Sequence, residues 1–458
     1  MNQIPNIFKA YDIRGLVDSE ITPDFCFATG LAFARFLQQV REPATVVLAQ
    51  DMRASSEALA DAFSAGVTST GLDVIRIGLA STDMLYFASG TLALPGAMFT
   101  ASHNPAAYNG IKLCLSSARP IGKESGLAVI EKFVRQGSPL EIRSVGVETN
   151  REMLAEYVDH LRSLVNLDSI RPLTLVIDAG NGMAGHTAPA IFSGLNCTVI
   201  PMYYELDGSF PNHEANPIDP KNLRDLQRKV VEHKADLGLA FDGDADRCFL
   251  IDENGDAINP SDLTSLIAHR ELVKRPGSTI IYNLISSRAV LEVIQENGGT
   301  GLRSRVGHSY IKAMMAESGA IFGGEHSGHF YFKEFWRADS GALAALHAIA
   351  ALGESKKSMS KILAPYQRYV SSGEINSIVE DSQRTTALVE KTFSTRNAVT
   401  IDHLDGLSVI GDTWWFNLRP SNTEPLLRLN VEAKSAMAMS KLRDEVLSLL
   451  ALPHGAVT

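Results

Sequence analysis

The sequence predicts an α/β protein of several domains whose C-terminal part has a different, α+β character. Short apolar stretches alternate with stretches of helical spacing along most of the chain, a pattern typical of sheets covered by helices. A chain of 458 residues is long enough for about three or four domains of the usual size. One strand-and-loop pattern also occurs three times, which favours related domains.

The individual elements are predicted from the spacing of apolar residues. Two early helices are expected over 21–39 and 55–69. The predicted strands of the α/β part lie at 46–49, 74–77, 97–99, 173–178, 197–200, 237–241, 279–282 and 320–322. In the last part of the chain the predicted elements are a helix near 385–392, strands at 407–410, 414–418 and 426–431, and a helix over 435–450. We therefore place four domains at 1–150, 151–253, 254–366 and 367–458.

The repeated pattern is an apolar strand that runs into a loop of polar residues. Its three copies are 96–99 (GAMF) before the loop with Ser102, 237–241 (LGLAF) before 242–247 (DGDADR), and 319–322 (GAIF) before 324–329 (GEHSGH). Ligands in open α/β sheets bind at the carboxyl ends of strands. Three related domains are therefore expected to turn these loops toward one cleft.

The composition excludes several classes of protein. A net charge of −10 repels nucleic-acid phosphates, so no nucleic-acid partner is expected. The N-terminus has no apolar segment of signal-peptide length, and the apolar stretch 341–352 is too short to span a bilayer. The four cysteines form no Cys-x-x-Cys pair, which argues against a disulfide framework. We expect a cytoplasmic protein without a membrane partner, as a monomer or weak homodimer.

Three aspartates follow the predicted strand 237–241. Asp242, Asp244 and Asp246 bring three hard oxygen donors within one short loop, and such carboxylates repel one another unless a cation lies among them. An EF-hand loop is excluded because its sixth position, which must be glycine, is Arg247 and because a strand precedes it. The loop therefore predicts a Mg²⁺ site, and a solvated acidic turn is the alternative.

Ser102 lies in the segment 100–105, TASHNP. Taken alone it is a turn residue before Asn-Pro, because serine commonly forms turns. It lacks the Gly-x-Ser-x-Gly context of a hydrolase, and the adjacent His103 does not make a triad. The aspartate loop favours another role, since a phosphoserine adds close to two negative charges and Mg²⁺ can share a phosphate oxygen with carboxylates.

Two further loops carry polar side chains suited to a sugar phosphate. In 324–329, Glu325 accepts and Ser327 donates hydrogen bonds, which suits vicinal sugar hydroxyls. A zinc site is less suitable there, because the loop has no cysteine and no helical His spacing. In 419–425 (RPSNTEP), Arg419 and the short polar residues after it make a phosphate cradle, with a plain turn as the alternative.

Together these loops resemble the signatures of the α-D-phosphohexomutase superfamily, and of its bacterial phosphomannomutase/phosphoglucomutase branch most of all. The matching segments, in order, are 8–15 (FKAYDIRG), 102–105 (SHNP), 242–247 (DGDADR), 324–329 (GEHSGH) and 419–423 (RPSNT). The resemblance covers essentially the whole chain. It implies three topologically similar α/β domains with mixed sheets and a smaller C-terminal domain, arranged around a central cleft.

The resemblance also implies a mechanism. Ser102 carries a phosphoryl group, passes it to the hexose to form a hexose 1,6-bisphosphate, and receives the other phosphate back; glucose 1,6-bisphosphate acts as activator. Mg²⁺ is held by Ser102, Asp242, Asp244 and Asp246. The implied catalytic residues are Ser102, Lys112, Arg14, His103, His308, His329 and Arg247. The implied substrate-binding residues are Tyr11, Glu325, Ser327, His326, Arg419, Ser421, Asn422 and Thr423. Lys112, His308 and His329 remain alternative general acids or bases.

The sugar is predicted from the loop 324–329. Its Glu-His-Ser-Gly-His form resembles the mannose/glucose branch rather than the phosphoglucosamine branch, which typically has Glu-Gln-Ser-Gly-His. Glucose and mannose differ only in the orientation of the 2-hydroxyl. If Glu325 and Ser327 bind the 3- and 4-hydroxyls, the site makes little contact with the 2-hydroxyl, so we expect both sugars to react. Ile285 departs from the lysine of bispecific relatives. A phosphoglucosamine mutase and a metal-dependent sugar phosphatase are the alternative functions.

Overall fold

The computed structural model describes residues 7–137, 144–420 and 426–451 and contains four β-sheets. The strands of the first sheet are β1 (Ile13–Leu16), β2 (Thr45–Gln50), β3 (Asp73–Leu79), β4 (Gly96–Phe99), β5 (Tyr108–Leu115), β6 (Arg119–Pro120) and β7 (Glu148–Asn150). Its helices are α1 (Pro23–Gln39), α2 (Ser56–Thr68), α3 (Thr82–Leu92) and α4 (Ala128–Gln136), the last preceded by a π-helical turn (Lys123–Leu127).

The second sheet has four strands, and the third has the corresponding four and one more, β16. The elements around the second sheet are α5 (Leu154–Leu164), β8 (Leu173–Asp178), α6 (Ala184–Phe192), β9 (Cys197–Met202), α7 (Arg224–His233), β10 (Leu237–Phe241) and β11 (Cys248–Ile251). The elements around the third sheet are α8 (Pro260–Lys274), β12 (Thr279–Asn283), α9 (Arg288–Glu296), β13 (Thr300–Ser304), α10 (His308–Ser318), β14 (Phe322–Gly324), β15 (Phe330–Phe332), β16 (Ala338–Asp339), α11 (Gly341–Gly353) and α12 (Met359–Leu363).

The fourth sheet is antiparallel throughout. Its elements are β17 (Val370–Ile378), α13 (Ser382–Ser394), β18 (Thr400–Asp402), β19 (Leu407–Ile410), β20 (Trp414–Pro420), β21 (Leu426–Ala433) and α14 (Ala436–Leu450). The strand order is β17-β21-β20-β19-β18. The α+β character predicted for the C-terminal domain is confirmed. β17 and β18 were not predicted, because β17 is an edge strand of mostly polar residues without an apolar pattern.

The first three sheets share one topology. The orders β3-β2-β4-β5, β9-β8-β10-β11 and β13-β12-β14-β15 each contain three parallel strands followed by one antiparallel strand. In each sheet the third parallel strand and the antiparallel strand form a hairpin. The turns of these three hairpins are, in order, the loop with Ser102, the aspartate loop and the loop with Glu325. The predicted fold of three similar mixed-sheet domains and a smaller fourth is therefore confirmed.

One predicted strand is displaced along the chain. The spacing predicted a strand at 320–322, but β14 covers Phe322–Gly324. Gly319 ends helix α10 in the left-handed conformation, so the next two residues connect the helix to the strand. The exact domain boundaries stay predictions, although each sheet lies inside one of the predicted ranges.

Helix α11 joins the first three domains. Its sequence, GALAALHAIAALG, is buried along its whole length, and Ser340 caps its N-terminus through a hydrogen bond to the backbone of Leu343. It belongs to one hydrophobic cluster that contains residues of all three α/β domains, such as Met84, Phe241 and Phe332. The fourth domain has a separate core around Phe393 and Phe416. Of the helices described, none combines the length and apolar character that crossing a membrane requires.

Candidate active site

Ser102 lies in the β4–β5 hairpin and is 4% exposed. Its backbone is left-handed, with φ of +51°. That conformation costs roughly 1–3 kcal/mol for a residue other than glycine and is found where the surroundings hold it in place. The Ser102 N–H donates to Thr100 Oγ1 at 2.9 Å. The hairpin therefore presents the Ser102 hydroxyl in one fixed direction.

That direction is toward the aspartate loop of the second domain. Ser102 Oγ donates to Asp242 Oδ2 at 2.8 Å, and the Nε atom of Arg247 donates to the same oxygen, also at 2.8 Å. Asp242, Asp244 and Asp246 lie directly after β10 and are all buried. The structure thus brings together the serine and the three aspartates that the sequence singled out.

The aspartate loop fits a divalent cation. Carboxylate oxygens of Asp242, Asp244 and Asp246 lie within 4.8 Å of one another. The Oδ1 atoms of Asp244 and Asp246 are buried and have no hydrogen-bond partner among the described residues. Burial raises the pKa of Asp242 to about 6. Buried carboxylate oxygens that face one another are hard ligands of the kind that Mg²⁺ binds.

Lys112 stands at the other side of the same aspartates. Its Nζ atom lies 2.6 Å from Asp244 Oδ2 and 2.6 Å from Asp246 Oδ2. Burial disfavours its charge, but Asp244 and Asp246 outweigh burial and raise the pKa of Lys112 well above its usual value. The same contacts, with a hydrogen bond from Thr82, lower the pKa of Asp244 against the effect of burial. The ammonium is therefore held at the centre of the site, within reach of a group bound there.

Gly243 is the residue that lets the serine hairpin approach the aspartate loop. A Cβ atom at this position would lie 2.4 Å from the carbonyl oxygen of Ser102, far inside van der Waals contact. Between the aspartates, therefore, only a residue without a side chain fits.

We expect Gly243→Ala to separate the two loops and lower kcat by about 10²-fold, since a displacement of about 1 Å has that effect at a catalytic centre. The measurement is a steady-state assay together with the melting temperature. Gly96→Ala on β4 is the control, because its added Cβ would meet only side-chain atoms, at 3.1 Å or more. Wild-type kcat in Gly243→Ala would contradict this role for the glycine.

Two residues of the first domain, Arg14 and His103, lie around the Ser102 loop. Arg14, on β1, donates to Asn104 Oδ1 at 2.6 Å and to Asp12 Oδ2 at 2.5 Å. His103 Nδ1 lies 3.3 Å from Ser102 Oγ and accepts a hydrogen bond from the guanidinium of Arg247. Burial and the charge of Arg247 lower the pKa of His103 well below its usual value, so its imidazole is neutral.

Tyr11 lies beside this group of residues. It comes close to the third domain, because a Cβ on Gly307 would lie 3.9 Å from the Tyr11 ring. Burial raises the pKa of its phenol, and Asp12 adds to that effect. The segment 8–15 therefore comes close to the Ser102 loop through Arg14 and to the third domain through Tyr11.

The hairpin of the third domain presents the predicted sugar-binding carboxylate. Glu325 is buried, and its carboxylate accepts hydrogen bonds from the Gly307 N–H at 3.1 Å and the Tyr331 hydroxyl at 2.7 Å. Ser327 Oγ lies 3.5 Å from Glu325 Oε2. Glu325 and Ser327 therefore lie close together on the same turn, and their binding to a sugar stays a prediction.

His329, at the end of the third hairpin, reaches the aspartates. Its Nδ1 atom lies 2.8 Å from Asp339 Oδ2 and 3.8 Å from Asp246 Oδ1. Burial opposes the imidazolium, but Asp246 and Asp339 raise the pKa of His329 above its usual value. His308 is the first residue of α10, and its side chain lies outside the described part of the structure.

The fourth domain contributes Arg419, at the end of β20. Its Nη2 atom lies 2.7 Å from Glu374 Oε2 on β17. Glu374 also acts electrostatically on His326, whose pKa is lowered by burial. The Arg419–Glu374 ion pair lies within the fourth domain, and the charge of Glu374 acts on His326 of the third hairpin. The predictions for Ser421, Asn422 and Thr423 fall outside the described residues.

The sequence did not predict some residues that lie at the site. Thr82 donates from its hydroxyl to Asp244 Oδ2 at 2.5 Å and from its backbone N–H to the Asp244 carbonyl at 2.9 Å. It comes soon after β3, so the rule that ligands bind at carboxyl ends of strands could have found it. Asp339 and Glu374 carry no motif, and no signal in the sequence points to them.

Comparison with known proteins identifies the class. Models of the four phosphoglucomutase/phosphomannomutase domains match the chain in order. The alpha/beta/alpha domain I model matches 5–139, domain II 155–255, domain III 259–369, and the C-terminal domain model 374–449. With the serine and aspartate loops described above, these four matches define an enzyme of the phosphohexomutase class, an isomerase.

Individual relatives agree with this class. A protein of Xanthomonas campestris pv. campestris called "Phosphohexose mutases" is 39% identical, over 97% of this chain and 98% of its own. A phosphomannomutase of Vibrio cholerae serotype O1 is 38% identical, over 97% of each chain. A crystal structure of a phosphoglucomutase/phosphomannomutase family protein from Burkholderia thailandensis has a TM-score of 0.90 and 31% identity, over 99% of this chain and 98% of that one. The chain belongs to the phosphoglucomutase/phosphomannomutase family.

Proposed function

We propose that this enzyme interconverts the 1-phosphates and 6-phosphates of mannose and glucose through a phosphoserine at Ser102. One observation carries the proposal: the Ser102 hydroxyl lies 2.8 Å from Asp242 within a buried group of three aspartates. A hydroxyl in this setting suits a group that alternates between phosphorylated and free states. Relatives of similar length that are called phosphomannomutases support the choice of sugar.

Asp242, Asp244 and Asp246 would hold Mg²⁺ together with a phosphate oxygen on Ser102. Two of these aspartates have a buried oxygen that accepts no hydrogen bond from the described residues, which supports this assignment. When bound, the ion neutralises the charge that develops on the transferring phosphoryl group. Arg247 adds a second positive charge, because its guanidinium Nη2 lies 3.5 Å from Ser102 Oγ.

The first half of the reaction transfers the phosphoryl group from Ser102 to the sugar. A free hydroxyl of the hexose phosphate attacks phosphorus in line, the bond from phosphorus to Ser102 Oγ breaks, and the hydroxyl proton passes to a base. Such a transfer needs a positioned acceptor and charge neutralisation above all. Lys112, His308 and His329 are the candidates for the base.

The second half returns the other phosphate to Ser102. The hexose 1,6-bisphosphate reorients in the site so that its second phosphate faces Ser102. Ser102 Oγ then attacks the second phosphorus, the bond from phosphorus to the sugar oxygen breaks, and the base returns a proton to that oxygen. Glu325, Ser327 and His326 contact the sugar in this proposal. Arg419, with Ser421, Asn422 and Thr423, binds the phosphate that does not react. Added glucose 1,6-bisphosphate activates the enzyme by phosphorylating Ser102.

Dual specificity follows from what the third hairpin can contact. Glucose and mannose differ only in the orientation of the 2-hydroxyl. Glu325 and Ser327 place a carboxylate and a hydroxyl on one turn, which suits hydrogen bonds to two neighbouring sugar hydroxyls. The 2-hydroxyl then makes no contact with this pair. Ile285, in the loop after β12, lacks the charge of the lysine that bispecific relatives carry there, so the ratio of the rates for the two sugars is measured in the assay below.

The test is a coupled assay with mannose 1-phosphate, glucose 1-phosphate and glucosamine 1-phosphate, each with Mg²⁺ and glucose 1,6-bisphosphate. We expect the 6-phosphates of mannose and glucose to form at similar kcat/KM, with glucosamine slower, and no inorganic phosphate to accumulate. Release of inorganic phosphate without a 6-phosphate would instead indicate a phosphatase. Preference for glucosamine 1-phosphate would indicate the phosphoglucosamine branch.

We place the enzyme in the cytoplasm. Cys26, Cys114, Cys197 and Cys248 are all free thiols, which fits a reducing compartment. Its partner there is the phosphorylated hexose, and the enzyme acts as a monomer or weak homodimer.

A further inference from the structure

A buried arginine outside the predicted site holds the serine hairpin. Arg53 follows β2 and is 3% exposed. Its Nη2 atom donates to the carbonyl oxygens of Ser102 at 2.9 Å and Asn104 at 2.7 Å. Its Nη1 atom donates to the carbonyl oxygens of Pro105 and Tyr108, both at 2.9 Å. One guanidinium therefore binds four backbone oxygens of the hairpin.

Asp51 fixes the direction of this guanidinium. Its Oδ2 atom accepts from Arg53 Nε at 3.2 Å, and its Oδ1 atom accepts from the Arg53 backbone N–H at 3.0 Å and from Ser56 Oγ at 2.6 Å. Both members of the pair are buried. An arginine whose Nε is held in this way presents its two terminal nitrogens as a rigid fork.

The second domain closes over the arginine. The Phe210 ring lies 5.1 Å from the Arg53 guanidinium carbon. A Cβ on Gly208 would lie 2.6 Å from Arg53 Cα, so the two backbones are in close contact there. Arg53 is therefore enclosed by the serine hairpin, Asp51 and the second domain, and its charge is shielded from solvent.

The hairpin needs such support, because Ser102 has the left-handed backbone conformation described above. Serine does not favour that conformation, and it is kept only where surrounding groups hold the backbone. Arg53 donates to the Ser102 carbonyl oxygen, and the backbone of Gly243 lies close to the same oxygen.

We infer that Arg53, oriented by Asp51, is a positioning residue that holds the Ser102 hairpin so that Oγ points at the transferring phosphorus. This inference rests on the proposed function, since it takes Ser102 as the phosphoryl carrier. Arg53 acts through the backbone of the hairpin and touches no reacting atom. Its role is orientation, so loss of the fork slows phosphoryl transfer more than it weakens binding.

The test is Arg53→Lys, which keeps the positive charge beside Asp51 but removes the fork. We expect kcat per folded enzyme to fall about 10²-fold, with KM for glucose 1-phosphate changed by less than about threefold. Phosphorylation of Ser102 by glucose 1,6-bisphosphate, followed by intact mass, slows in the same proportion. Circular dichroism gives the folded fraction used for normalisation.

Arg76→Lys is the matched control. Arg76 lies on the neighbouring strand β3, is also largely buried, and pairs with Glu148 at 3.0 Å and Asp61 at 2.8 Å, away from the hairpin. We expect a loss of stability in this variant with wild-type kcat. If Arg53→Lys does not fold, Asp51→Asn is measured in the same assays, with a loss in kcat of at least about tenfold expected.

Three outcomes are decisive. The inference is overturned if folded Arg53→Lys enzyme has the wild-type kcat and phosphorylation rate. If that variant does not fold, the same result for Asp51→Asn overturns it. A rise in KM at unchanged kcat overturns it as well, because it would place Arg53 in substrate binding. If the wild-type enzyme itself gains no phosphate on Ser102, the proposed function fails instead, and the two failures are thereby distinguished.

Discussion

Ser102→Ala is expected to lower kcat by at least about 10³-fold while leaving the fold intact, because the variant loses the hydroxyl that carries the phosphoryl group in the proposed mechanism. The lost hydroxyl donates to Asp242 and also contacts His103 and Arg247, but Asp242 keeps its hydrogen bond from Arg247, so the melting temperature should change little. The measurement is the coupled assay, together with intact mass after incubation with glucose 1,6-bisphosphate. The wild-type enzyme gains one phosphate and the variant gains none.

Ser117→Ala is the control for that variant. Ser117 also has a left-handed backbone, with φ of +60°, but it lies in the turn between β5 and β6. It should keep full activity and still gain phosphate on Ser102. Full activity of Ser102→Ala would remove the phosphoserine mechanism altogether.

Asp244→Asn is expected to have the second largest effect. The amide keeps the shape of the side chain but removes one of three negative charges, and ligand charge sets the affinity of oxygen-based cation sites. We expect the Mg²⁺ concentration for half-maximal activity to rise roughly 10²-fold and kcat to fall even at saturating Mg²⁺. The enzyme is first treated with EDTA and then titrated with Mg²⁺.

Asp252→Asn provides the comparison. Asp252 follows the next strand, β11, and its carboxylate accepts backbone hydrogen bonds at 2.9 and 3.0 Å within its own turn. Its Mg²⁺ dependence should match the wild type, with some loss of stability. An unchanged Mg²⁺ titration in Asp244→Asn would show that the aspartate loop does not hold the ion.

The sequence was most informative where a motif of polar residues follows an apolar strand, although it did not reveal Thr82 after β3 or Arg53 after β2. Ser102, the aspartates and Glu325 each come directly after such a strand, and carboxyl ends of strands in related sheets face the ligand. Their meeting in one site could therefore be expected before any coordinates were known. The fold class followed from the same alternation of strands and helices.

What the sequence did not reveal depends on contacts that leave no pattern. Arg53 binds backbone carbonyl oxygens, and any sequence supplies such oxygens, so no partner residue marks the interaction. Glu374 meets Arg419 through pairing of β17 with the rest of its sheet, and β17 itself has no apolar periodicity. The start of β14 depends on the length of the connection after helix α10, which ends at the left-handed Gly319, and apolar spacing does not show that length.

The buried helix α11 has a consequence for how the molecule loses its structure. One apolar cluster contains residues of the first three domains, and the fourth domain has a separate core, so we expect the fourth domain to unfold as a unit of its own. A cavity made in α11 weakens most of the chain at once. A cavity made beside Phe416 stays local, so the C-terminal unit can melt while the serine and the aspartates keep their places.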